Sequence, residues 1–357
     1  MKVPEGYILR LDPEDEYTHP IEEEKNFNES MYINIFDPST LLGGWFRVGN
    51  RPNEGYAEVS CCLYLPDGRV GFMFGRPEIT NNDALAAGGM KFAILEPLKR
   101  LRLTYEGKIL LLENPHDMAR PRKAFAENPL VDCKVELDYQ GVAPVSGGER
   151  VNEDGTPLKE KPEEAFARAH YEQHVEGRGS IRVAEEVFPV DGYGLRDHSW
   201  GPRYWQNIKW YRWLPMSMGK DFGMMIAIIT KQDGNQIVGG MVLRDNAYVM
   251  IEEARIETEW DENYYQTNLK AWAKTAEREY EVEGRVLRLI PLRNKRKTPD
   301  GAVLETRITE GMTEYRCDGR VGYGMSEYLD QIIDGKPVGL DGGRIAPRKT
   351  MNRGEGS

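Results

Sequence analysis

The chain has 357 residues, 40% of them apolar and 29% charged, and a net charge of -11. That length predicts two folded units, and the apolar share excludes wholesale disorder. The negative field repels phosphate backbones and anionic surfaces, so nucleic acid is not expected as a partner, and the longest apolar run, Phe222 to Thr230, is under half of the roughly 20 residues that a membrane helix needs.

The first residues turn acidic at once, with no apolar stretch leading to a small-residue cleavage site, which predicts a cytoplasmic protein. Acidic side chains crowd Pro13 to Ser30, so residues 1–30 read as a solvated arm and folding is expected to begin near Met31. Tyr56 to Leu65, the turn residues Pro66-Asp67-Gly68-Arg69 and Val70 to Phe74 make a hairpin signal. Further hairpins are predicted from Leu101–Tyr105 with Lys108–Leu112 around Glu106-Gly107, from Met224–Thr230 with Gln236–Leu243, and from Tyr280–Glu283 with Arg285–Leu292 around Gly284. Cys61 and Cys62 would sit on opposite faces of a strand, and the four cysteines form neither a disulfide framework nor a zinc pattern.

Pro144 to Pro162 is rich in Gly, Pro and charge and reads as an excursion, followed by a helix over Pro162–Gln173 with Pro162 at its first position and Glu163 and Glu164 at its positive end. Asn268 to Glu279 contains good helix formers, but the alternation of Leu269, Ala271 and Ala273 favours a strand. Arg293 to Lys297 reads as a solvated turn. Many short strands predict an all-β fold of barrels or curved sheets, divided into residues 31–185 and 186–345 with a flexible tail at 346–357. A barrel of about eight strands has room for one small ligand.

Val190 to Trp213 holds four of the seven tryptophans together with Arg196, Asp197 and His198, a density found nowhere else in the chain. Gly192, Gly194, Gly201 and Pro202 are expected to bend the backbone and bring Arg196, Asp197, His198 and Trp200 to one place, because in a straight strand Asp197 and His198 would face opposite ways. Gly192-Tyr193-Gly194 lacks the strand-to-helix context of a dinucleotide fingerprint, and no Gly-x-Ser-x-Gly elbow occurs.

The stretch GYGLRDHSWGPR resembles the signature of a bacterial family of lipocalin-like proteins related to the AttH and carotenoid 1,2-hydratase group. Gly322 to Leu329, GYGMSEYL, resembles that family's closing motif, and Gly43 to Arg47 with Asn50 to Asn53 extends the likeness across most of the chain. The resemblance implies two lipocalin-like (calycin) halves, a cavity between or within them, and an acid at Asp197 as proton donor. Relatives hydrate carotenoid double bonds and prenylated phenolics, so the implied activity is that of a hydro-lyase on a small hydrophobic terpenoid or prenyl-type alkene or alcohol.

Such chemistry needs an acid that protonates carbon and a base that takes or gives the second proton, and it requires no cofactor. An apolar pocket would raise the pKa of Asp197 until it holds a proton near neutral pH, with His198 as partner base and Glu327 as a second carboxylate. Trp200, Tyr204 and Trp205 would stabilise a cation, and Arg196, Tyr323 and His174 complete the expected substrate contacts. His170 and His174 would flank the predicted helix at i, i+4 spacing, but Tyr171-Glu172-Gln173 between them makes no zinc motif, so no metal is expected. Alternatively Arg196 and Asp197 form an ion pair, His198 satisfies a buried carbonyl and Trp200 fills a barrel end. The same fold would also suit a non-catalytic carrier, or an isomerase or cyclase using the same acid and base. A homodimer is compatible with the sequence.

Overall fold

The computed structural model describes residues 7–156, 158, 167–203, 208–297, 303–340 and 344–345. Where every second residue is apolar, one face of each extended segment must find a core, and the described residues form two large sheets. The first holds β1 (Tyr7–Arg10), β2 (Phe27–Asp37), β3 (Leu42–Arg51), β4 (Tyr56–Tyr64), β5 (Val70–Gly75), β6 (Ala86–Ala87), β7 (Met90–Glu96), β8 (Arg100–Leu112), β9 (Leu130–Gly141), β10 (Ser146–Asn152), β11 (Ala169–Val183) and β12 (Glu186–Pro202). The second holds β13 (Ile208–Ser217), β14 (Phe222–Lys231), β15 (Gln236–Arg244), β16 (Ala247–Trp260), β17 (Gln266–Thr275), β18 (Glu279–Lys297), β19 (Val303–Cys317), β20 (Arg320–Ile333), β21 (Lys336–Pro337) and β22 (Arg344–Ile345).

Antiparallel pairing in the order β11-β12-β2-β3-β4-β5-β8-β9 returns to β11, and pairing from β13 through β20 returns to β13. Each half therefore closes on eight strands, which hides the edges that an open sheet would expose. This is the all-β, two-part lipocalin-like fold that the sequence predicts. No helix among the described residues is long and apolar enough to cross a membrane.

Alternation assigns every strand two faces. Met31, Ile33 and Ile35 of β2 enter the first core with Phe46, Val59, Leu103 and Val175, whereas Tyr32 and Phe36 point outward. Cys61 points inward and Cys62 outward, and all four thiols are free. Leu214, Met224, Trp260, Ala271 and Tyr328 fill the second core. Tyr32, Phe36, Trp45 and Tyr64 of the first barrel meet Ile290, Met312 and Met325 of the second in a buried seam.

Several expectations need correction. Arg100–Leu112 and Glu279–Lys297 are single strands, not hairpins, and the latter includes Arg293 to Lys297. Their glycines make room instead of turning the chain: a Cβ at Gly107 would lie 2.6 Å from the Tyr105 hydroxyl, and one at Gly284 2.8 Å from Leu269 Cγ. The part of the predicted helix at residues 162–166 lies outside the described residues, and Ala169–Gln173 is strand, so His170 and His174 sit on a strand and not beside a helix. The acidic segment is not wholly solvated, because Glu16 is fully buried and Phe27 already starts β2. The division between barrels falls after Pro202, not near residue 185, because β12 pairs with both β11 and β2 of the first barrel. Residues 268–275 are strand, as the alternation predicts.

Candidate active site

β12 runs without a break from Glu186 to Pro202, so the expected kink at Gly192 and Gly194 is absent. These glycines permit close approach to β2: a Cβ at Gly194 would stand 2.0 Å from the Asn34 carbonyl oxygen, and one at Gly192 2.4 Å from that of Phe36. Because the strand is straight, Asp197 and His198 face opposite ways and do not form an acid–base pair. Asp197 faces the second barrel. Arg196 and His198 face away, where Arg196 Nη1 donates to Glu16 at 2.6 Å and its Nε to Gln173 Oε1 at 2.8 Å, while His198 contacts Glu29 and the Tyr171 hydroxyl.

Around Asp197 four strands bring carboxyl groups into the seam. Glu172 of β11 lies directly across from Asp197, and Glu310 of β19 directly across from Glu327 of β20. His170, two residues before Glu172, contacts Asp197 through Nε2 and lies 3.9 Å from Glu172. Trp213 of β13 joins the two pairs: it sits across from Glu327, and its Nε1–H donates to Glu172 Oε1 at 3.0 Å. The Tyr211 hydroxyl donates to Glu327. Aromatic faces close the seam, with the Tyr32 ring 5.4 Å from that of Trp213 and 6.2 Å from that of Trp45. Arg203 is buried nearby and donates to Ser199 Oγ at 2.5 Å.

Electrostatics assigns these acids different states. Burial alone would raise Asp197, but the charge and hydrogen bond of His170, with the charge of Arg203, hold it below its ordinary value. Asp197 is therefore an anion, not the protonated acid that the sequence reading expects. The His170 side chain is 45% exposed; desolvation opposes its charge, but the charges of Asp197 and Glu172 with the Asp197 hydrogen bond outweigh that and raise it to about 9. Burial pushes Glu172 up to about 7, opposed by His170 and reinforced by Asp197. Burial also raises Glu327 to about 7, opposed by the Tyr211 hydroxyl and reinforced by Asp197, and Glu310 stands well above its ordinary value through burial and the adjacent Glu327. His170, Glu172 and Asp197 offer ligand atoms within 4.8 Å of one another.

The other predicted residues are scattered. His174 is buried, with Nε2 3.2 Å from the Met216 carbonyl oxygen and its backbone N–H donating to the Tyr248 hydroxyl at 2.8 Å; it ties one barrel to the other. Burial lowers its pKa to about 4. Trp200 is buried on the His198 side with Ala169 and Tyr171. Tyr323 lines an open groove of about 220 Å³ with Phe36, Tyr193 and Met218, four residues along β20 from Glu327. Tyr204 and Trp205 lie outside the described residues. Among the predicted catalytic residues, the structure brings Asp197 and Glu327 into one seam and turns His198 away.

Sequence reasoning missed His170, Glu172, Tyr211, Trp213 and Glu310. One signal pointed to the arrangement: Gly192-Tyr193-Gly194 and Gly322-Tyr323-Gly324 each precede an acid, Asp197 or Glu327, by the same spacing. Strands of period two then place the residues across from those acids on the same face.

A family model described as "Domain of unknown function (DUF7064)" matches residues 12–332. No curated protein matches the chain. Among solved structures, a protein assigned as AttH from Nitrosomonas europaea is similar with a TM-score of 0.53 at 15% identity, over 87% of this chain and 96% of that one. Kievitone hydratase from Nectria haematococca is similar with a TM-score of 0.52 at 11% identity, over 85% of this chain and 88% of that one. These likenesses establish a shared fold.

Proposed function

The chain belongs to the DUF7064 family, and from that premise we propose that it is a hydro-lyase whose active site is the carboxylate-rich seam between its two barrels. The observation that carries this reading is the meeting of Glu172 and Glu327 around Trp213, one carboxyl buried and one half-buried, both raised to about 7. At neutral pH such a pair supplies one protonated acid and one ionised base, the combination that acid–base catalysis is best served by. The name of the similar kievitone hydratase fits the same chemistry.

In the hydration direction Glu327 gives its proton to one alkene carbon, and the π electrons form the new C–H bond. Positive charge develops on the neighbouring carbon, facing Tyr32, Trp45 and Trp213. Water adds through oxygen, and Glu172 takes the proton it releases. The alcohol carries one added water, and transfer of the proton from Glu172 back to Glu327 through solvent restores the starting state. The His170–Asp197 ion pair holds a fixed cation beside Glu172 and so keeps a share of it ionised at neutral pH. The substrate class we assign is a small hydrophobic terpenoid or prenyl-type alkene, or the tertiary alcohol it yields.

The test is incubation of the purified chain with a panel of terpene alkenes, prenylated phenols and tertiary terpenols in heavy-oxygen water. Label entering the alcohol, lost in Glu327→Gln and Glu172→Gln while circular dichroism is unchanged, supports the reading. Unlabelled rearranged products would instead favour an isomerase or cyclase, and binding without turnover a carrier.

A further inference from the structure

We propose that His19 Nδ1, Glu29 Oε1 and His198 Nε2 bind one divalent transition-metal ion, on the face of β12 turned away from the carboxylate seam. The three atoms lie within 4.8 Å of one another, with Glu29 Oε1 2.7 Å from His19 Nδ1 and 3.0 Å from His198 Nε2. Zinc bonds of about 2.0–2.1 Å to imidazole nitrogen in a tetrahedral site separate donors by roughly 3.3 Å. An opening of a few tenths of an ångström therefore admits the ion. Two imidazoles and one carboxylate suit zinc or ferrous iron, and three protein ligands leave a further position for water.

The surroundings have the form of an outer ligand shell. Metal-binding histidines hold their second ring nitrogen to an acceptor, which fixes the tautomer. Here His19 Nε2 lies 3.4 Å from Asp15 Oδ1, and His198 Nδ1 lies 3.2 Å from the Tyr171 hydroxyl. Glu29 Oε2 accepts from Asn82 Nδ2 at 2.6 Å and from the His19 backbone N–H at 2.8 Å, which orients the carboxylate and leaves Oε1 for the ion.

Proton counting permits the loaded state. A neutral imidazole carries one N–H. Without the ion, His19 meets both carboxylates as an imidazolium, with Nδ1–H on Glu29 and Nε2–H on Asp15. A cation on Nδ1 displaces the first proton and leaves the N–H at Nε2, where Asp15 accepts it, and a cation on His198 Nε2 lets Nδ1–H donate to Tyr171. Glu29 and His198 have no exposed side-chain surface, whereas that of His19 is 18% exposed and provides the entry. The Trp200 ring stacks on the His19 imidazole at 4.0 Å and holds its plane.

The experiment uses the full chain, stripped with a chelator and titrated with Zn²⁺ against a chromogenic competitor, with Co²⁺ as an optical probe. We expect one equivalent bound per chain, visible bands of low-coordinate cobalt, at least 100-fold weaker binding in His19→Gln and 10- to 100-fold weaker binding in Asp15→Asn. Both substitutions fall at partly exposed side chains, so the fold is retained and circular dichroism verifies it. The proposal is overturned if the folded chain retains no zinc at 10 μM, or if binding survives His19→Gln and disappears in His170→Ala, which would move the ion to the seam.

Discussion

The closing strands of the two barrels carry the same pattern, yet their acids are shifted in opposite directions. In β12, Gly192-Tyr193-Gly194 precedes Asp197, and in β20, Gly322-Tyr323-Gly324 precedes Glu327. Each second glycine admits a neighbouring strand, since a Cβ would lie 2.0 Å from the Asn34 carbonyl oxygen in one barrel and 2.0 Å from that of Pro215 in the other. Each acid faces a glutamate on one neighbouring strand, Glu172 or Glu310, and an aromatic residue on the other, Tyr32 or Trp213. The difference lies two residues before those glutamates, where β11 has His170 and β19 has Ile308. With an imidazolium at hand Asp197 is held ionised; without one Glu327 is raised to about 7 and Glu310 stands well above its ordinary value. Spacing fixes where an acid stands, and the balance between its burial and the nearest cation sets its charge, as Glu172, raised to about 7 beside the same His170, shows.

The comparison breaks most sharply at Glu327. Glu327→Gln is expected to lower the rate of alkene hydration by about 100- to 10,000-fold with an unchanged circular dichroism spectrum; full activity would return both acids to a structural role. Position +2 after the second glycine differs as well: Arg196 is paired with buried Glu16, and Ser326 shares a hydrogen bond with Thr313 at 2.8 Å. Glu16→Ala strands a buried guanidinium, so denaturant unfolding is expected to show a loss of about 3–5 kcal/mol, against about 1 kcal/mol for Ser326→Ala. Equal losses would mean that solvent reaches Arg196.

His170→Gln removes the cation that distinguishes the first pair. Its expected effect is a roughly tenfold fall in kcat, with the lower limb of the pH–rate profile displaced upward as Glu172 loses the charge that keeps part of it ionised. The smallest effect is thermodynamic. Glu327 and Glu310 have raised pKa values in the folded chain, so their contribution to stability is fully present below the ordinary value of 4.5 and is lost as pH rises through the folded value, about 7 for Glu327. Replacing Glu310 by Gln should flatten that decline and raise Tm at pH 8 by about 2 to 4 °C; a Tm difference independent of pH would count against the raised acids.

Legibility in the sequence followed the locality of the physics. The Tyr56 to Phe74 hairpin was readable because Pro66-Asp67-Gly68-Arg69 encodes its own turn, and Cys61 and Cys62 parted faces because a strand has period two. Gly107, Gly194 and Gly284 misled because a glycine inside a strand answers to atoms on a neighbouring strand. Asp197 and Glu327 stood out by motif. Their partners Glu172 and Glu310 did not, because only the register of β11 against β12 and β19 against β20 brings them opposite. The protonation of Asp197 was misjudged for the same reason, since the imidazole that settles it comes from another strand.

The Glu16–Arg196 ion pair spans 180 positions of chain. During synthesis Glu16 leaves the ribosome long before its guanidinium partner exists; Asn53, Asn82 and the Leu98 N–H offer the acidic segment earlier hydrogen bonds, but its buried charge is paired only once β12 has been made. The charge of Glu16 is thus among the last contacts of that segment to be satisfied. A nascent chain arrested before Arg196 should leave that segment open to proteases, whereas one extended past Pro202 should protect it.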